Sequence, residues 1–325
     1  MKMRTHVSIA AAAIAVAAVA MPTAAVPQES ALAYKWTKGE TLRYRMTQTT
    51  DTTMSGLPGG MPDVTLNQIL NQTFKMSVND VAADGVVTLS QVFESMRMDV
   101  NTPAGKVTID SAAPAANAGP PEQLAQKIFA ALIGEPVTVM LAPTGRVQKV
   151  EGFNRLIDKM SSAMSADPAA AAAVRQLKAG MGDEQMSAMF SQGFPEFPQK
   201  PIKAGDTWST SASMPNPIFG SVNTTTQLTL ASLDGQTAKI VTRMKMERDP
   251  KAAPPASPAM MGLKPEMGTS TGDAELLFDV QKGQLRSATA NIMMPMSMSG
   301  TAPDGTPVSM KTSAKSTVKM ELVEK

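Results

Sequence analysis

The chain has 325 residues, no cysteine and one histidine, His6. His6 lies in an N-terminal leader, so the chain beyond it has neither thiol nor imidazole; this excludes disulfides, thiolate nucleophiles, Ser-His-Asp and Cys-His triads, haem and iron–sulfur ligation, and His- or Cys-based zinc sites. Lys and Arg total 30 against 28 Asp and Glu, and loss of Lys2 and Arg4 with the leader balances the two, which argues against nucleic acid as a partner.

In chain order, Lys2 and Arg4 precede an almost wholly Ala, Val and Ile run over 7–20, the pattern of a signal peptide. The run is shorter than the roughly 20 apolar residues of a membrane-spanning helix. Small residues permit cleavage after Ala20, Ala25 or Ala33; the region of Ala25 is preferred, so 1–25 is read as leader. The expectation is export to the periplasm or beyond, with no transmembrane segment once the leader is gone.

A first β-unit is expected over 35–152. Leu42, Tyr44 and Met46 alternate with Arg43 and Arg45, and Leu66, Leu70, Phe74, Met76 and Val78 continue the period of two, the mark of strands with one buried face. Asp84-Gly85 and Pro143-Thr144-Gly145 are hairpin turns. Residues 56–62 and 111–121 read as exposed loops. Pro121 opens a helix carrying Leu124, Ile128, Phe129, Leu132 and Ile133, and Gly134 stops it.

The segment 153–202 is helical and ends in a proline connector. Phe153, Leu156, Ile157, Met160 and Met164 form a stripe at helical spacing. Asp167 caps an alanine run ending at Gly180, and a short helix carries Met186, Met189 and Phe190.

A second β-unit is expected over 203–325. Leu228 and Leu230, then Ala238, Ile240, Met244 and Met246, flank the Asp234-Gly235 turn; residues 250–265, rich in Pro and Ala, read as a disordered loop. After Lys282-Gly283 come Ala288, Ala290, Ile292, Met294, Met296 and Met298 in one phase, then the Asp304-Gly305 turn. From Val308 to Leu322 the even positions are mostly apolar and every odd position is polar. The fold class expected is α+β, mainly β: a long curved antiparallel sheet, or sheets, built from two related β-units with a central helical segment.

The relation between the units rests on three pairs in the same order: KGETLRY from Lys38 with AGDTWST from Ala204, ADGVVTLSQVFESMRM from Ala83 with LDGQTAKIVTRMKMER from Leu233, and VTVMLAPTGRVQKV from Val137 with AELLFDVQKGQLRSA from Ala274. Trp36 and Trp208 are placed at similar points of the two copies and read as packing residues.

Together, YKWTKGETLRYRMTQTT, IGEPVTVMLAPTGRVQKVEG and FPQKPIKAGDTWS resemble a family of exported bacterial proteins described only as a domain of unknown function. The resemblance implies a secreted or periplasmic β-rich protein and supplies no catalytic residues. More loosely, a long curved sheet with a few helices is similar to the half-barrel carriers of lipids and lipoproteins in bacterial envelopes, a likeness of architecture alone.

Methionine, at 27 residues, is the enriched type. Met294, Met296 and Met298 at i, i+2 and i+4 could converge for Cu(I), but they continue the phase of Ala288, Ala290 and Ile292, which reads as the wall of a core or cavity. No metal or other cofactor is assigned. A methionine sulfoxide buffer would need most of these thioethers in solvent, against their inward phase. Ser316-Thr317-Val318-Lys319 matches S-x-x-K, but on a strand Ser316 and Lys319 point to opposite faces. Asp183 and Glu184 are read as helix-start acids rather than a catalytic pair.

The function expected is therefore non-enzymatic: an envelope protein that binds or carries an apolar small molecule or lipid on a concave, Met-rich sheet face. Ile292, Met294, Met296, Met298 and Met310 are the candidate ligand-binding residues. The alternative is a structural or interaction module that docks an envelope protein and takes no small ligand. A void of several hundred cubic ångströms favours the carrier and a filled core the module.

Overall fold

The computed structural model describes residues 29–57, 61–103, 105–113, 119–164, 187–188, 190–191, 193–216, 219–251, 263–301 and 307–323. Thirteen strands and two helices follow in order: β1 (Thr41–Ser55), β2 (Val64–Val81), β3 (Val87–Thr102), β4 (Gly105–Asp110), α1 (Pro120–Leu132), β5 (Pro136–Leu141), β6 (Val147–Glu151), α2 (Phe153–Ala163), β7 (Thr207–Asn216), β8 (Gly220–Asp234), β9 (Thr237–Arg248), β10 (Leu263–Met267), β11 (Ser270–Asp279), β12 (Gln284–Thr301) and β13 (Pro307–Leu322). The expected class, mainly β with a curved antiparallel sheet and few helices, is the one observed.

The strands form a single sheet in the order β6-β5-β3-β2-β1-β13-β12-β11-β9-β8-β7, with β4 added to β3 and β10 to β12. Each half is an up-and-down meander, and the halves meet where β1 pairs with β13 from Tyr44 opposite Leu322 to Ser55 opposite Lys311. Period-two alternation decides which side faces in: along β1, Leu42 and Tyr44 are buried while Arg43 and Arg45 are exposed. The polar face carries pairs such as Arg43 with Glu94 and Lys239 with Glu275.

The three paired sequence stretches fall at equivalent places in the two meanders. Gly39 N donates to Val78 O and Val78 N to Glu40 O, just as Gly205 N donates to Leu230 O and Leu230 N to Asp206 O. In each case an acid accepts from a backbone N–H three residues earlier, Thr37 N to Glu40 Oε2 at 3.3 Å and Lys203 N to Asp206 Oδ2 at 3.0 Å. The β2–β3 register slips at Val78/Asp80 and the β8–β9 register at Leu230/Ser232; β5–β6 slips at Met140/Leu141 and β11–β12 at Leu277/Phe278. Such bulges bend and coil a strand pair.

This equivalence corrects one expectation: Trp36 stands three residues before Gly39 and Trp208 three after Gly205, so the tryptophans do not correspond. The end of the expected 250–265 loop is also corrected, because Leu263–Met267 is β10, paired with β12. Pro265 is tolerated there because β10 pairs on one side alone, leaving its other edge free of ladder donors. The alanine run to Gly180, Met186, Met189 and the Asp304-Gly305 turn lie outside the described residues.

Curvature follows from a strap before β1. Tyr34 N donates to Pro143 O in the β5–β6 turn, and the next residue, Lys35, donates from N to Gly283 O in the β11–β12 turn. Lys35 Nζ also reaches Val280 O and Gln281 O at 3.0 and 3.2 Å. Strands β5 and β12 are five spacings apart, about 24 Å in a flat sheet, yet adjacent residues, whose Cα atoms lie about 3.8 Å apart, bridge their turns. The sheet is therefore rolled nearly shut at this end. Leu32, Tyr34, Phe194 and Phe197 fill the roll against Leu89, Leu141, Leu230, Ile240 and Phe278 in the main core. Phe278 has no exposed surface and packs edge-on to Tyr34 and Phe197, at centroid distances of 5.3 and 4.8 Å.

The helices cover the same face at the β3–β6 side. Phe129 of α1 packs on Met96 and Ile109, and Leu156, Ile157 and Met160 of α2 pack on Val137, Val139 and Val150.

The strap makes the turn glycines unequal. Gly283 has φ +64, and a Cβ there would collide with the backbone N and side chain of Lys35; Gly205 has φ +93 but open space around it. Gly205→Ala should cost about 1–2 kcal/mol of unfolding free energy, from the left-handed backbone alone. Gly283→Ala should cost at least twice that, read from urea midpoints; equal costs would show that the strap does not seat on this turn.

Candidate functional site

The core does not fill the concave face. Between the rolled end and the open rim lies a cavity of about 840 Å³, within the range of small-molecule sites. Its apolar floor includes Met46, Phe74, Leu276, Leu285 and Met320, contributed by β1, β2, β11, β12 and β13. Met46 and Met320 are direct partners across the β1–β13 seam, so the floor straddles the junction of the two meanders.

Small side chains keep it open. Leu276 faces Ala288, Ala274 faces Ala290 and Gly272 faces Ile292 on adjacent strands. At Gly272 itself the space is taken: a Cβ there would lie 3.0 Å from Met244 Cε and 3.1 Å from Asn291 O. Gln48, which borders the cavity, donates from Nε2 to Ser316 Oγ at 3.1 Å, and Ser316 and Thr50 share a hydroxyl bond at 3.1 Å. Ser316 is buried on this face while Lys319 is exposed on the other, as strand alternation requires.

Of the five candidate residues, Ile292 borders the cavity. Met294, Met296, Met298 and Met310 lie beyond it, on the rim side of Ser316, all half-buried; Met298 is paired with Met310, and Met296 borders a second hollow of about 340 Å³. Among the described methionines, Met61 and Met293, at 56% and 43% exposure, are the exposed ones. Among the described residues no cluster of three or more His, Cys, Asp or Glu could hold a metal ion. No helix among them is long and apolar enough to cross a membrane.

The strap and the 188–196 segment bring side chains that sequence reasoning did not assign to a site. Tyr34, Trp36, Arg146, Phe190 and Glu196 all border the cavity. The rings of Tyr34 and Trp36 stack with centroids 6.0 Å apart. Trp208 Nε1 donates to Glu196 O at 2.7 Å, fixing the segment against β7. Tyr44 donates its buried hydroxyl to Leu285 O at 2.9 Å. Burial, then the charge of Glu40, raises the Tyr44 hydroxyl well above the ordinary tyrosine range, and burial with the proximity of Tyr44 does the same to Tyr34. Both are neutral donors at any physiological pH.

Beneath the cavity, the β11–β12 turn is organised by Asp279, 1% exposed. Its Oδ1 accepts from Gln281 N and Lys282 N at 3.0 and 2.8 Å, and its Oδ2 from Arg286 Nε at 3.1 Å. Burial pushes its pKa up, but the Lys282 N–H, Arg286 and the Gln281 N–H together outweigh burial and hold it below the usual carboxylate range.

The described geometry is that of an open, strongly coiled antiparallel sheet with an apolar cavity bordered by a strap and by the 188–196 segment, and with two helices packed on its β3–β6 side. The chain belongs to a family of unknown function, DUF6263, whose model matches residues 84–285, more than half of the sequence. No curated protein sequence matches it. Among solved structures it is similar to one on lipid–protein interactions in lipovitellin, with 9% identity, TM-score 0.44, and 89% of this chain covering 26% of that one. The chain thus spans about a quarter of the lipovitellin chain's length. An outer membrane channel from Pseudomonas putida F1 matches at 8% identity and TM-score 0.26, over 88% of this chain and 97% of that one. DynF from the dynemicin biosynthesis pathway of Micromonospora chersina matches at 11% identity and TM-score 0.20, over 91% and 89%.

Because the folded pKa of Asp279 is depressed, its contribution to stability is present in full above the unfolded value, about 3.9, and is lost as pH falls through the folded value. In acid titrations of unfolding free energy, Asp279→Asn should lower stability at pH 7 and flatten the loss below about pH 4. A mutant curve parallel to wild type would show that Asp279 is not held ionised.

Proposed function

We propose that the protein is a non-enzymatic binding or carrier protein, exported to the cell envelope, which holds an apolar small molecule or lipid on the concave face of its sheet. The observation that carries this reading is the cavity itself: about 840 Å³, floored by aliphatic, aromatic and thioether side chains and bordered by Ala274, Ala288 and Ala290, where larger side chains would intrude. A fully packed interior of the same strands would have supported an interaction module. Ligand pockets are typically apolar with a few placed polar groups, and this one has that make-up. The leader over 1–25 supports export, and the lack of thiol and imidazole beyond it weighs against nucleophilic or proton-transfer catalysis.

The neutral dye N-phenyl-1-naphthylamine should bind saturably with increased fluorescence. Ala288→Trp, which places an indole on the cavity lining, should weaken binding by about tenfold or more, through overpacking of about 1–3 kcal/mol. Native mass spectrometry of protein from its own host should show a copurifying lipid-sized adduct. Absence of both dye binding and an adduct would overturn the carrier reading.

A further inference from the structure

The methionines spaced along β12 lie outside the cavity, and the fold brings further thioethers to them. Without a register shift in either ladder, Met296 on β12 stands opposite Met267 on β10, and Met298 opposite Met310 on β13. Met54 on β1 is opposite Thr312, which is itself opposite Met296. All five share the concave face with Ile292, and each is half-buried, so each keeps part of its surface open to solvent. The helices cover the β3–β6 side of the sheet and the strap its rolled end.

Direct cross-strand partners on one face have Cβ atoms about 4.5–5.5 Å apart and diagonal ones about 7–8 Å, within reach of long side chains. Met298 and Met310 are a direct pair; Met296 is diagonal to Met310 and next to Met298 along the same face of β12. Met267 is direct to Met296 and diagonal to Met298. Four unbranched, freely rotating side chains therefore surround one point on β12, with Met54 diagonal to Met310 at their border. Among the described residues of these rungs no carboxylate shares the face: Lys264, Glu266 and Lys311 occupy the alternate positions, exposed on the convex side. The donors on the concave side are thioether sulfurs and the Thr312 hydroxyl.

We propose that Met267, Met296, Met298 and Met310 form a binding site for a soft monovalent metal ion, Cu(I), at the rim of the sheet. Soft thioethers select Cu(I), whereas hard ions need carboxylates and Zn(II) needs imidazole or thiolate, none of which this face offers. Leucine at the same positions would cover the face equally well, since Leu and Met exchange with little change in volume. What methionine adds there is the sulfur. The site is separate from the cavity and independent of the carrier reading, and binding leaves the metal as Cu(I), with no electron transferred.

The test uses the whole mature chain with isotope-labelled methionine methyl groups, titrated without oxygen with Cu(I), with Ag(I) as a redox-inert ion of the same charge and softness, and with Zn(II). The methyl resonances of Met267, Met296, Met298 and Met310, each assigned from its leucine variant, should move together and stop moving at about one Cu(I) or Ag(I) per chain, and Zn(II) should leave them in place. In competition with the chelator bicinchoninate, Met298→Leu should hold Cu(I) about tenfold more weakly or worse, since loss of even an outer-shell partner costs about 10–100-fold in metal affinity. Met293→Leu, at a solvent-facing position, should hold it as the native chain does. An unchanged urea midpoint shows that Met298→Leu folds; if it does not fold, Met310→Leu takes its place in the competition. Movement of Met61 and Met293 alone, without saturation, would be adventitious binding by exposed thioethers and would overturn the site. Resonances that stay still, an equal response to Zn(II), or retention undiminished in Met298→Leu would overturn it as well. Dye binding reads the cavity alone, so either proposal can fail while the other stands.

Discussion

The antiparallel ladder between β1 and β13 is the constraint on which the rest of this molecule depends. It runs in unbroken register from Tyr44 opposite Leu322 to Ser55 opposite Lys311, and makes one continuous sheet of two meanders. Each meander alone would have one apolar face and an unpaired edge at the seam, an unstable arrangement in water. Pairing the edges merges both apolar faces into one surface, and Met46 and Met320 meet at its centre.

Once the faces are continuous, the strap determines their shape. Successive residues Tyr34 and Lys35 bind turns that a flat sheet would hold far apart, so the sheet coils at that end. At the coiled end aromatic side chains interdigitate to full burial around Phe278. Farther along, Ala274, Ala288 and Ala290 present only methyl groups to the concave face, and a void remains. The cavity is thus a geometric consequence of a roll closed at one end, with alanines on β11 and β12 and with Gln48, Thr50 and Ser316 toward its polar limit.

Strands whose alternation was strict were legible before folding: Val308–Leu322 in β13, Ala288–Met298 in β12 and Leu66–Val78 in β2 all emerge in the expected phase. Hairpins at Asp84-Gly85, Pro143-Thr144-Gly145, Asp234-Gly235 and Lys282-Gly283 were equally plain, because a turn needing positive φ selects Gly locally. α1 followed from apolar spacing, a proline start and a glycine stop, and α2 from its apolar stripe alone. β10 was missed because proline and alanine dominate its surroundings and its pairing with β12 is wholly non-local. Trp36 and Trp208 have similar local surroundings in sequence, whereas the hydrogen-bonded turns make Gly39 equivalent to Gly205.

The candidate site shows where local pattern stops being informative. Period two assigns Ile292, Met294, Met296 and Met298 to one face, and they do share it, yet alternation carries no information about how far along a strand that face is covered. Only the coil of the sheet separates Ile292, at the cavity, from the methionines beyond Ser316. Tyr34 and Trp36 precede the first strand and belong to no periodic pattern; they become lining residues because backbone bonds to two turns, more than a hundred residues distant in the chain, carry them there. Side-chain periodicity and turn chemistry are set by neighbours within a few residues, so strands, hairpins and the inward face could be read directly. Curvature, the seam and the position of the void arise from contacts across the whole chain, and those exist only once it has folded.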